Sequence, residues 1–88
     1  MESAEKPLKF TRHALQSMAK RGASQEDVAQ AIAESPWAAA RGDRFECSKD
    51  FPYNGVWHEK QYRTKQVVPV FKEEAGAIVI ITVYVFYF

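Results

Sequence analysis

The chain has 88 residues, 47% of them hydrophobic and 14% aromatic, with a single cysteine and a net charge of +1. That is enough for one domain with a single modest core. Lone Cys47 excludes an intramolecular disulfide, the near-neutral charge argues against a general nucleic-acid coat, and the apolar run from Ala77 to Phe88 is twelve residues, short of the roughly 20 that a membrane-spanning helix needs.

The opening stretch, MESAEKPLKF, is polar and carries Glu2 and Glu5. It lacks the basic and then apolar segments of a secretory signal, so a cytoplasmic protein with no membrane partner is expected. Residues 1–8 are expected to be flexible. Charge is unevenly spread: residues 1–22 hold five basic and two acidic groups, net +3, and the remainder seven basic and nine acidic, net −2. The first helix is thus the basic end of the chain, and phosphate is a reasonable ligand for it.

FTRHALQSMAKRG (10–22) reads as one short helix. Thr11 is a competent N-cap, Phe10 a staple onto the next turn, and Gly22 a left-handed stop. Ala14, Leu15 and Met18 supply the stripe expected to be buried, and His13, Ser17, Lys20 and Arg21 a polar strip. Ser24 with Asp27 three residues on starts a second helix, whose inner face is Val28, Ala31 and Ile32 and which ends near Pro36. Only Gly22 and Ala23 separate the two helices, so a tight hairpin is expected.

Strand patterns follow. RFECS (44–48), VWHEKQYR (56–63), QVVPVF (66–71) and residues 78–88 are β-rich, with turn signals at Asn54-Gly55 and at 74–76. Pro69 requires an edge or a bulge. Strict alternation in the last strand directs Val79, Ile81, Val83, Val85 and Tyr87 one way, and Ile78, Ile80, Thr82, Tyr84, Phe86 and Phe88 the other, so that both faces are apolar. Two short helices cover one face; the other is expected to be a partner surface, closed by a second copy, or covered by residues 36–56. Alternation in 56–63 puts His58, Lys60 and Tyr62 on one face and Glu59, Gln61 and Arg63 on the other. Without repeats or long linkers, residues 1–88 form a single α+β domain.

A protonated ring in the first helical turn is disfavoured by the helix dipole, so His13 is expected to be a neutral imidazole usable as a general base. The alternative is a ring that anchors the helix to a sheet carbonyl. Arg21 suits the negative end of the dipole on structural grounds alone. Metal binding would need His13, Cys47 and His58 to converge without any short ligand spacing, so neither metal nor cofactor is expected.

FTRHALQSMAKRGASQEDVAQAI together with the terminal IVIITVY resembles a family of short bacterial domains whose pattern is Thr-x-His-Ala, a Met, Arg-Gly, an acidic helix and a closing Thr-Val-Tyr strand. That family is similar to the RelE, ParE and BrnT toxin domains of toxin-antitoxin modules. On this resemblance Thr11, His13, Ala14, Met18, Arg21, Gly22, Thr82, Val83 and Tyr84 carry over. The implied fold is a two-helix hairpin packed on a twisted, mostly antiparallel sheet of about four strands. The implied activity is metal-independent cleavage or binding of RNA, and the implied partners are RNA and an antitoxin protein or a second copy. Ribonuclease chemistry needs a base, an acid and a cation for the phosphorane charge. His13, Arg21, His58, Arg63 and Tyr84 are the candidates for those roles, with Arg12, Lys20 and Lys60 as nucleic-acid contacts. The competing expectation is a non-enzymatic interaction module that uses the apolar face of the last strand.

Overall fold

A computed structural model describes residues 6–88, so Glu2 and Glu5 lie outside the described residues. The elements run β1 (Leu8–Phe10), α1 (Arg12–Arg21), α2 (Gln25–Glu34), β2 (Ala38–Ala39), β3 (Phe45–Glu46), β4 (Lys49–Trp57), β5 (Lys60–Glu74) and β6 (Ala77–Tyr87). This is an α+β fold whose sheet, among the described residues, has six strands rather than about four, in the order β1-β6-β5-β3-β2 with β4 also on β5. All pairings are antiparallel except β1 with β6.

Both helices form where local chemistry directs. The Thr11 side chain accepts from the Ala14 N–H, Gly22 closes α1 at φ 86°, and Ser24 and Asp27 form a reciprocal capping box at the start of α2. Their buried faces meet Val67, Phe71, Ile78, Ile80 and Val83 in one core. Burying apolar area of this kind is the main favourable term in folding.

Of the stretch expected to be flexible, residues 1–5 lie outside the described residues, and residues 6–8 are held against the sheet. Lys6 pairs with Glu73 at 3.0 Å, and Leu8 to Phe10 run parallel to Ile78 to Ile80. The signal was the alternation of Leu8 and Phe10 about Lys9, which three residues are too few to make decisive.

The Asn54-Gly55 pair is not the hairpin turn. Asn54, at φ 47°, sits in a bulge within β4, and the chain reverses instead at His58 and Glu59, with φ of 50° and 70°. Two consecutive left-handed residues between the paired Trp57 and Lys60 are a type I′ hairpin loop. His58, Lys60 and Tyr62 therefore do not share a face of one strand.

The register of β6 also shifts. Val70 pairs with Thr82 and Phe71 with Ile80, which leaves Ile81 as an extra residue. This bulge inverts the alternation, so Ile78 and Ile80 enter the same core as Val83, and Val85 packs against it. Pro69 accepts from the Cys47 N–H at 3.4 Å, at the break between β3 and β4. Its missing N–H faces that same side, where the ladder is already interrupted.

Candidate functional site

α1 lies along the edge of β6 beyond the stretch that β1 covers. Among the described residues no strand pairs with β6 on that side past Ile80. Side chains of α1 take over the exposed carbonyls: Thr11 Oγ1 donates to Ile81 O at 3.2 Å, and Arg21 Nη1 to Val83 O at 2.8 Å. The row that meets the edge is Ala14, Ser17, Met18 and Arg21. Leu15, expected in the buried stripe, is exposed, and Ser17 is buried in its place.

His13, Ser17 and Arg21 stand at four-residue steps on one face of α1. His13 Nε2 lies 3.5 Å from Ser17 Oγ, which lies 3.3 Å from Thr82 Oγ1. The imidazole is exposed and does not reach a sheet carbonyl; Thr11 and Arg21 make those anchors, and Ser17 meets the Thr82 hydroxyl. The Arg21 guanidinium lies 5.2 Å above the Tyr84 ring, a cation–π arrangement that holds the charge at the rim of the sheet. His13 and Arg21 stand two turns apart, a rise of about 12 Å along the helix, with the Arg21 guanidinium held at Val83 O and the Tyr84 ring. Three candidates, His13, Arg21 and Tyr84, thus share one edge.

The other candidates lie elsewhere. The exposed His58 ring stacks on Trp57 at 4.6 Å, Trp57 stacks on Tyr87 at 4.8 Å, and the Tyr87 hydroxyl donates to Arg21 O at 2.7 Å. His58 is therefore linked to α1 through two intervening rings. Burial, then the nearby Tyr53 and Asp27, push the Tyr87 hydroxyl above its ordinary pKa, which keeps it a donor. Lys60 and Arg63 are exposed on β5, while Arg12 and Lys20 are exposed on α1 beside the His13 row. α1 contains no acidic residue.

Cys47 is a core residue whose thiol donates to Ala31 O at 3.4 Å, with its pKa pushed up to about 11 by burial and then by Glu46. That is the opposite of an activated nucleophile. Among the described residues no group of three or more His, Cys, Asp and Glu is placed to hold a metal, and no helix is long and apolar enough to cross a membrane.

Past the bulge, Tyr84, Phe86 and Phe88 are exposed by 45%, 53% and 54%. They lie on the face opposite Val83, Val85 and Tyr87, away from the helices. Residues 36–56 do not cover this face, because β2, β3 and β4 extend the sheet sideways. The row is legible in the sequence as alternating aromatics; its exposure is not.

Searches against family models, curated proteins and solved structures returned no match.

Proposed function

We propose that this chain is a RelE/BrnT-like domain that binds RNA along the α1/β6 edge and cleaves it without a metal. The observation that supports this reading is the placement of His13, Arg21 and Tyr84 along one edge of the sheet, with Arg21 over the Tyr84 ring and the His13 ring beside the Ser17–Thr82 hydroxyl pair. In the proposed reaction His13 takes the proton of a ribose 2′-hydroxyl, and the 2′-oxygen attacks the adjacent phosphorus. The 5′-oxygen leaves with a proton from Tyr84, while Arg21 offsets the charge on the phosphorane. The product would end in a 2′,3′-cyclic phosphate.

Purified protein incubated with single-stranded RNA and a chelator tests this. Cleavage to cyclic-phosphate ends is expected, and His13→Ala should slow it by about 100-fold or more while leaving the fold intact, because the ring is exposed. Intact RNA with wild-type protein, or equal rates in the variant, refutes the catalytic role.

A second reading is an interaction module whose partner is an antitoxin-like protein or a second copy. It is favoured by the exposed Tyr84, Phe86 and Phe88. Light scattering distinguishes it: a stable dimer dissolved by Phe86→Ala, without RNA cleavage, is its signature.

A further inference from the structure

We infer that Phe86 and Phe88 form a base-stacking subsite for single-stranded RNA, next to the phosphate held at Arg21 and Tyr84. The inference rests on the RNA reading above and names its substrate as unpaired.

Three features of this face define its occupant. Same-face residues on a strand are about 6.8 Å apart, so Tyr84, Phe86 and Phe88 present successive rings over about 14 Å of β6. Arg21 already covers the Tyr84 ring, which leaves Phe86 and Phe88 as the open faces. Both are firmly held. Phe86 is paired with Gln66, and the Phe88 backbone donates to Thr64 O at 3.0 Å and accepts from its N–H at 2.8 Å.

The flanks are asymmetric. Across the ladder lie Val68 opposite Tyr84, then Gln66 opposite Phe86, and Gln66 Nε2 donates to Asp50 Oδ1 at 2.9 Å. Beside Phe86 and Phe88 the apolar row is therefore about one strand wide, bordered by an amide, a carboxylate and the Thr64 position, and it widens to Val68 only at Tyr84. A protein interface core instead excludes charge over a broad apolar patch. On the other border, at the Tyr84 end of the row, stands the C-terminal turn of acid-free α1, with Arg21 over the Tyr84 ring and Lys20 exposed beside it. Asp50 repels phosphate and the helix attracts it, so the sugar–phosphate chain runs along the α1 side with its bases turned over the rings. Aromatic faces beside a basic track are how single strands are held without duplex geometry. In a duplex the base faces are already stacked on one another.

The test is fluorescence anisotropy with a labelled 2′-O-methyl RNA hexamer, which cannot be cut through its 2′-oxygen, and a duplex of the same length. Wild type should prefer the single strand. Phe86→Ala and Phe88→Ala, each checked by circular dichroism, should weaken binding roughly 5- to 150-fold, as for loss of one stacked base, and Phe86→Trp should restore it. Unchanged affinity in the alanine variants, equal binding of duplex, or no binding by wild type overturns the inference; a dimer that Phe86→Ala dissolves would then assign the face to self-association. The catalytic reading fails separately: binding that depends on Phe86 and Phe88 without cleavage of ordinary RNA removes the chemistry and keeps the subsite, and cleavage that does not depend on them does the reverse.

Discussion

At Gly22 the backbone has φ 86°, and a Cβ built there would lie 2.5 Å from the Tyr87 hydroxyl and 3.1 Å from the Trp57 ring. The helix stop is thus also the seat of the aromatic stack. Gly22→Ala should destabilise by about 1–2 kcal/mol from the left-handed backbone alone, and more because Tyr87 must move; a urea unfolding curve would show it. Asp27 is a residue through which acid acts. Partial burial raises its pKa, but the hydrogen bond from Lys65 at 2.9 Å, the Ser24 N–H and the Lys65 charge outweigh burial, leaving it below the ordinary value. A carboxyl depressed in the folded state contributes stability above its unfolded pKa of about 3.9, and that contribution disappears as the pH falls through the lower folded value. Urea midpoints measured from pH 7 down to pH 3 should therefore fall in wild type, with a smaller fall below about pH 4 in Asp27→Asn, which starts from a lower midpoint at pH 7.

Among the elements, the β4–β5 hairpin holds two non-glycine residues in the left-handed region. Histidine tolerates that region better than most residues, and the His58 ring gains a stack on Trp57; Glu59 has no such compensation from its backbone position. Glu59→Gly relieves a penalty of about 1–2 kcal/mol and adds glycine's unfolded-state entropy of about 0.5–1 kcal/mol. A net gain near 0.5–1 kcal/mol is expected from these two terms, measurable as a raised thermal midpoint. The two helices were readable from the chain because caps and stops act within four residues. The turn was not, since Asn-Gly serves equally in a hairpin or a bulge, and only cross-strand pairing with β5 chooses between them.

For the whole molecule, a charge of +1 makes any RNA contact local rather than field-driven. If Arg12, Lys20 and Arg21 each neutralise one phosphate, the log–log salt dependence of hexamer binding should have a slope of about −2. A much steeper slope would place the strand across a wider basic surface than α1. The architecture is consistent with so modest a track: the helices cover one side of the sheet, and the aromatic row lies on the other, joined at the β6 edge by Arg21.

Local chemistry in the sequence determined both helices with their caps, the α+β class, the constraint at Pro69, and the presence of His13 and Arg21 on one helix. Tertiary structure alone decided the rest. The one-residue bulge at Ile81 inverts the facing of half of β6, and placing α1 on the strand edge buries Ser17 rather than Leu15. The hairpin loop carries His58 away from His13. Each depends on register between segments distant in the chain, where a shift of one residue exchanges core for surface, and neighbouring residues alone do not encode that choice.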